Sequence, residues 1–119
     1  MQFSEPELLA QLVAADAAAI EDAAFGIIGM NLDGVVTRYN RHESAISGLS
    51  PDRVVGKHFF SAVAPCTNNF MVAQRYEDSE ELDETIDYVF TLRMRPTKVR
   101  LRLLKSAKAG RQFLAVERV

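Results

Sequence analysis

The chain has 119 residues, of which 48% are apolar, which is enough for one domain with one hydrophobic core and too short for two ordinary domains. Its 14 basic and 16 acidic residues give a formal charge of −2, so composition offers no electrostatic reason to expect binding to nucleic acid or to an anionic membrane. The one cysteine excludes an internal disulfide, and no run of about twenty apolar residues is present to span a bilayer. We therefore expect a soluble, cytoplasmic protein.

The first 24 residues have a helical and acidic character that differs from that of a signal peptide. Ser4 is placed to cap a helix whose first turn holds Pro6, and the alanine-rich stretch near residue 15 is better interpreted as helix than as linker. An apolar stripe recurs at helical spacing, formed by Leu8, Leu9, Leu12, Val13 and Ala17. Because an exposed apolar stripe is unstable in water, this helix must pack on a sheet or on a partner.

Short helices are predicted between the first strands and Cys66. Asn40 is placed to cap a helical segment over residues 41–47, and Ser50 with Pro51 has the pattern of another helix start. Helices this short, crowded on one face of a sheet, enclose a pocket.

The remaining pattern is that of strands. Asp33-Gly34 is a typical hairpin turn between the first two apolar runs. Residues 80–84 read as an acidic, solvated exit from a helix, Pro96 interrupts the alternation, and the late basic residues read as the solvent side of a half-buried strand. The predicted strands cover residues 25–32, 35–39, 86–92, 99–103 and 113–116.

Two motifs resemble those of a known family. Residues 54–67, VVGKHFFSAVAPCT, resemble the chromophore-attachment region of the photoactive yellow proteins, and residues 93–99, RMRPTKV, resemble their chromophore-covering loop. The likeness extends from about residue 24 to residue 119. It implies an α+β fold of the PAS type, with a five-stranded antiparallel sheet flanked by short helices. Residues 1–24 would form a helical N-terminal cap over the rear of the sheet, and residues 25–119 the chromophore-binding domain, in a single compact unit.

The resemblance also implies a site. A p-coumaroyl group, derived from 4-hydroxycinnamic acid, would be held as a covalent thioester on Cys66, with Tyr39 and Glu43 as hydrogen-bond donors to its phenolate. Ser47 replaces the family's usual threonine and would support Tyr39. Leu49 stands where many members carry an arginine, so we expect an apolar gate over the phenolate. The other pocket residues implied by position are Ile28, Phe59, Val63, Ala64, Thr67, Phe90, Leu92 and Met94.

The function implied by this resemblance is blue-light reception without enzyme activity. Light would isomerise the pigment from trans to cis, Glu43 would then protonate the phenolate, and the stranded buried charge would drive partial unfolding. The N-terminal cap would loosen and signal to a downstream partner protein, which the sequence does not identify. We expect a monomer or a weak homodimer, and no nucleic-acid or membrane partner.

Without the family, the same residues have plainer interpretations. Cys66 would be a small buried hydrophobe, Tyr39 a strand-end aromatic and Glu43 a surface acid. The alternative function is then a pigment-free PAS-like interaction module that dimerises through the stripe of Leu8, Leu9, Leu12 and Val13. Catalysis by Cys66 would need a base, but His42 and His58 have no identifiable orienting acid, and His42 is expected to face solvent. One cysteine and two scattered histidines also give poor support for a metal site.

Overall fold

A computed structural model describes residues 1–92 and 95–119, with Leu92 described by its backbone only. Within these ranges the α-helices are Leu8–Ala14 (α1), Ala17–Glu21 (α2), Arg41–Ser47 (α3), Pro51–Val54 (α4) and Ala73–Asp78 (α5). A π-helical turn at Phe59–Val63 and a 3-10 turn at Pro65–Thr67 lie between α4 and α5. The strands are Gly26–Asn31 (β1), Val36–Tyr39 (β2), Glu81–Leu92 (β3), Arg95–Ser106 (β4) and Arg111–Arg118 (β5).

The described strands form one antiparallel sheet in the order β2-β1-β5-β4-β3. The first hairpin closes where Asp33-Gly34 was predicted, and Gly34 adopts a φ of 82°, a conformation that favours glycine. Asn40 caps α3, as predicted, and Gly48 ends it with a φ of 77°. The predicted five-stranded antiparallel sheet with short helices is therefore confirmed.

The sheet separates two apolar clusters. The front face carries the short helices and the two helical turns, and its core includes Ile28, Tyr39, Phe59, Ala64, Phe90, Leu101, Leu114 and Val116. The rear face carries the N-terminal segment, and its core contains Phe3, Leu8, Leu12, Ile20, Phe25, Ile27, Leu104, Phe113 and Ala115. Consecutive strand residues alternate between the two clusters, as a pleated sheet requires.

The N-terminal segment covers the rear face, but not as one helix from Ser4. Helix α1 begins at Leu8 after Glu7, and α2 is a separate helix whose first turn is capped by Asp16, which accepts a hydrogen bond from the Ala19 amide at 2.8 Å. Leu8 and Leu12 are fully buried against the sheet. Of the residues on which the dimerising alternative depended, Leu8 and Leu12 are therefore buried within the chain, and Leu9 and Val13 are partly buried beside them.

Arg102 explains why the helix starts late. Its guanidinium donates to the carbonyl oxygens of Phe3 and Glu5 at 2.9 and 2.7 Å, which fixes the backbone before α1 outside a helix. The same side chain makes two bonds of 2.8 Å to Asp83 on β3. The prediction that the late basic residues lie on a solvent face is thus wrong for Arg102, which is only 7% exposed.

Two predicted boundaries are also wrong. The acidic stretch at 80–84 is largely strand, because β3 begins at Glu81 and its carboxylates pair with arginines, Asp83 with Arg102 and Glu84 with Arg75. Pro96 lies inside β4 opposite Thr91 rather than ending the strand. Pairing of β4 with β5 starts only at Val99, so at Pro96 the strand has a ladder on its β3 side alone, and such an edge position tolerates proline.

Candidate functional site

The junction between β2 and α3 is organised by the buried side chain of Asn40. Its Oδ1 accepts from the amides of Glu43 at 3.1 Å and Ile27 at 3.0 Å, and its Nδ2 donates to the carbonyls of Ile20 at 3.0 Å and Phe25 at 2.9 Å. The cap of α3 is therefore also a link to α2 and to β1. The cap was predictable from the sequence but this link was not, because the bonds to residues 20 and 25 are not local.

Asn40 places the carboxyl group of Glu43 in the front core, where the side chain is 1% exposed. A Cβ on Gly26 would lie 2.3 Å from Glu43 Oε1, so the glycine provides the space that this carboxyl group occupies. Glu43 Oε2 is buried and has no hydrogen-bond partner in the described structure. Burial raises the pKa of Glu43 to about 7, against the opposing effect of the positive charge of Arg118. At neutral pH this site holds a proton that it can also release.

Tyr39 ends β2 beside this carboxyl group. Its hydroxyl shares a hydrogen bond of 2.9 Å with Ser47 Oγ, in which either oxygen can donate, and Ser47 Oγ accepts from the Leu49 amide at 3.2 Å. Burial, with a smaller contribution from the negative charge of Glu43, raises the pKa of Tyr39 well above its ordinary value. The phenol therefore stays protonated and available as a donor, and Ser47 has the supporting contact that the resemblance implied.

Cys66 lies on the 3-10 turn, partly buried against the front core. Its carbonyl oxygen accepts from Tyr88 Oη at 2.5 Å and from Asn69 Nδ2 at 3.1 Å. Thr67 donates from Oγ1 to the Ala64 carbonyl at 2.7 Å, which closes the turn from the other side. The backbone that carries the thiol is thus fixed by contacts to β3 and to its own loop.

Asn69 and Tyr88 were not predicted as site residues. An available signal was the position of Tyr88 in the inward-facing row of β3, because a buried phenol usually has a hydrogen-bond partner. Asn69 gave no comparable signal, since its amide oxygen serves the local amides of Met71 and Val72 while its nitrogen reaches Tyr88 at 2.7 Å.

The structure brings most of the predicted pocket residues together. Five of the predicted site residues are buried members of the front core: Ile28, Tyr39, Phe59, Ala64 and Phe90. Three more are partly buried against the same cluster: Leu49, Val63 and Cys66. Thr67, the last residue of the 3-10 turn, is fully buried. Two predictions, the side chain of Leu92 and all of Met94, lie outside the described residues.

Neither histidine is arranged as a base for Cys66. His58 is exposed, and its Nδ1 lies 2.8 Å from Ser61 Oγ. His42 is half-buried with its Nδ1 unpartnered in the described structure, so the expectation that it faces solvent is wrong. Among residues 1–92 and 95–119, no group of three or more possible metal ligands is found, and no helix is long and apolar enough to cross a membrane.

The sequence was compared with protein families and with known proteins. The family model described as the PAS fold matches residues 15–116. The photoactive yellow protein of Rhodothalassium salexigens is 34% identical over 105 residues, covering 86% of this chain and 84% of that protein. That of Halochromatium salexigens is 34% identical over 103 residues, covering 84% of this chain and 82% of that protein. The chain belongs to the photoactive yellow protein family.

Solved structures similar to this chain include a photoactive yellow protein domain and a PAS domain. The photoactive yellow protein domain of the sensor histidine kinase Ppr from Rhodospirillum centenum is 35% identical, with a TM-score of 0.82 over 92% of this chain and 98% of that one. A PAS domain of an HTR-like protein from Haloarcula marismortui shares the fold at 16% identity and a TM-score of 0.69. The predicted family and fold class are confirmed. These relatives are photoactive yellow proteins and sensor domains, not enzymes, so the chain is a PAS domain of the photoactive yellow protein type.

Proposed function

We propose that this domain is a blue-light photoreceptor whose pigment is a p-coumaroyl group joined as a thioester to Cys66. The observation that carries the proposal is the buried carboxyl group of Glu43, which has one unpartnered oxygen and a pKa raised to about 7 beside the Tyr39–Ser47 pair. A buried polar atom without a partner is unfavourable unless a ligand completes it. An anionic phenolic oxygen would accept from both Tyr39 and protonated Glu43, so these residues fit the group.

Cys66 supplies the point of attachment. Its sulfur, as thiolate, would attack the carbonyl of an activated acyl donor, and the leaving group would depart with the electron pair of the broken bond. Partial burial of the turn shields the resulting thioester from water, and the bonds from Tyr88 and Asn69 to the Cys66 carbonyl keep the turn in place. A free thiol fits a reducing compartment, and we place the domain in the cytoplasm.

When bound, the group supplies a light-driven trans-to-cis isomerisation and an ionisable phenol. In the dark, Tyr39 and Glu43 would donate to the phenolate, and its negative charge would favour the protonated form of Glu43 still further. After isomerisation, Glu43 would give its carboxyl proton to the phenolic oxygen. Glu43 is then left as a carboxylate that is 1% exposed.

A bare buried carboxylate destabilises the fold by several kcal/mol, a large part of the ~5–15 kcal/mol that holds a domain together. Asn40 accepts from the Glu43 amide and donates to the carbonyl of Ile20 in α2. Movement of α3 would therefore strain the N-terminal cap through this side chain. The cap would loosen and expose the rear face to a downstream signalling protein. We propose a protein partner rather than nucleic acid or membrane, and a monomer or weak homodimer as the working state.

Reconstitution tests the proposal. Apoprotein treated with activated p-coumarate should gain the mass of one cinnamoyl acyl group on the peptide that contains Cys66, together with a visible absorption band that bleaches reversibly under blue light. Cys66→Ser, folded to the same degree by circular dichroism, should gain neither. If the folded wild type stays colourless with the activated acid, the photoreceptor proposal is wrong.

A further inference from the structure

The phenolic end of the pocket is predicted to lack a cation, because Leu49 replaces the family's arginine. The structure places another positive side chain on the same face. Leu114 and Val116 of β5 point into the front core, so Arg118, two residues beyond Val116, projects from the same side of the strand. It is half-buried, and its Nε is buried with no hydrogen-bond partner in the part of the chain that the structure describes.

The ladder between β1 and β5 brings Arg118 near Glu43. Gly26 pairs with Val116, and a Cβ on Gly26 would meet both Glu43 Oε1 at 2.3 Å and Val116 Cβ at 3.2 Å. The carboxyl group of Glu43 therefore rests against this pair, one pleat from Arg118. Arg118 Nε, a donor without a partner in the described structure, and Glu43 Oε2, an acceptor without one, thus lie on the same edge of the front core.

A cleft extends from Arg118 to Ser47, the hydrogen-bond partner of Tyr39. It has a volume of about 570 Å³, and its lining includes Arg118, Phe90 and Ser47, the residue that bonds the Tyr39 hydroxyl. Arg95 lines the same cleft and is exposed. Of the charged and titratable groups around the pair, Arg118 acts on both Tyr39 and Glu43 and lowers the pKa of each, while Glu43 raises that of Tyr39. His42 lies next to Glu43 on α3 but is separated from it by the turn of the helix.

We infer that Arg118 is the positioning residue that supplies positive charge to the phenolic end of the pocket, the role that Leu49 leaves vacant. The cation favours the ionised form of Glu43 and so opposes the effect of burial on the pKa of this carboxyl group. It also favours an anionic oxygen next to Tyr39. The effect on Glu43 belongs to the unliganded chain, whereas the effect on a pigment rests on the proposed function.

The first test therefore uses the apoprotein. The protonated carboxyl band of Glu43 is followed by infrared spectroscopy against pH, with the Glu43→Gln spectrum subtracted for assignment. At a pH above the midpoint, Arg118→Gln should raise the ratio of protonated to ionised Glu43 by about threefold or more, because it removes the opposite charge that Arg118 places on the same face of the sheet. Arg118→Lys should restore most of the wild-type ratio. Arg38→Gln, an exposed residue next to Tyr39 that points away from the front core, should not change it.

A merely structural role would lower the thermal stability of both Arg118 variants without moving the Glu43 titration, and that result overturns the inference. So would an equal titration shift in Arg38→Gln, which would indicate a general effect of net charge.

The second test uses pigmented protein. Arg118→Gln should shift the absorption maximum and make the dark form bleach with acid at a pH at least half a unit higher, because the phenolate loses its cation. Identical acid-bleaching curves would contradict the inference. If the chain takes up no pigment at all, the proposed function fails, while the infrared titration of the apoprotein still decides the role of Arg118.

Discussion

The two faces of the sheet treat buried charge in opposite ways. On the rear face, the Arg102 guanidinium makes four hydrogen bonds, two to Asp83 and two to the backbone of the N-terminal segment. On the front face, Glu43 and Arg118 each keep a buried polar atom without a partner in the described structure. A fully satisfied buried ion fixes one arrangement, whereas an unsatisfied group is sensitive to a ligand and to its own protonation.

This difference indicates a division of roles. The rear face holds the cap in place through a permanently charged arginine, and the front face carries a carboxyl group whose charge can change near neutral pH. Asn40 joins the two, since it caps the helix of Glu43 and bonds the carbonyl of Ile20 under the cap. Substitutions on one face that leave the other intact should therefore separate the attachment of the N-terminal cap from the change of charge on Glu43.

The largest effect is expected from Glu43→Gln. The folded state binds the proton of Glu43 more tightly than the unfolded chain, because burial raises its pKa from 4.5 to about 7. Raising the pH through this interval therefore destabilises the wild type, by about 3 kcal/mol in total, and the loss levels off above pH 7. The glutamine variant lacks this loss. Urea unfolding between pH 5 and pH 8 measures the difference.

The exposed Glu81→Gln on β3 is the matched control and should follow the wild-type pH profile. If Glu43→Gln did so as well, the carboxyl group would be solvated rather than buried. In pigmented protein, Glu43→Gln should also lose the light-driven structural change, measured by hydrogen exchange in residues 1–24. A change of full size would show that the stranded carboxylate does not drive it.

Arg102→Met tests the rear face and should have the next largest effect. It leaves the carbonyls of Phe3 and Glu5 without their donor and Asp83 without its partner, so we expect a loss of about 2 kcal/mol, reduced because Asp83 is 41% exposed. Hydrogen exchange in the cap should rise while the Glu43 titration stays unchanged.

Arg100→Met is the control for this variant. Arg100 lies two residues away on the same face of β4, half-exposed, with ion-pair distances of 3.6 Å to Asp87 and Glu117, and its loss should change stability by less than about 0.5 kcal/mol. Equal effects of the two substitutions would mean that Arg102 contributes only surface charge.

The local parts of the molecule were predictable from sequence. Asn40 and Gly48 bound α3 because capping preferences act over a few residues, and Asp33-Gly34 makes the hairpin turn for the same reason. The break between α1 and α2 had a local signal too, since Asp16 is a good N-cap, but the run of alanines around it favoured a continuous helix.

The contacts that join distant parts of the chain were not predictable in this way. Strand alternation places Arg102 and Arg118 on opposite faces but does not say what covers either face, so one was taken for a solvated residue and the other was not considered. Cys66, Tyr39 and Glu43 were selected only by their resemblance to a family. Nothing in their own spacing shows that a surface-type acid is buried.

The smallest of these effects, and the most local, is expected from Gly26→Ala. A Cβ here would lie 2.3 Å from Glu43 Oε1, so the carboxyl group must move, and we expect a loss of roughly 1.5 kcal/mol with a displaced Glu43 titration. Gly29→Ala in the same strand is the control, because its nearest contacts, to Arg38 and Thr37, are an ordinary 3.4 Å. Thermal unfolding and the infrared band of Glu43 measure both variants. If Gly26→Ala and Gly29→Ala had the same stability and the same Glu43 titration, the Glu43 carboxyl group would not be tightly packed against Gly26. The front face would then be packed no more closely around Glu43 than the rest of the sheet.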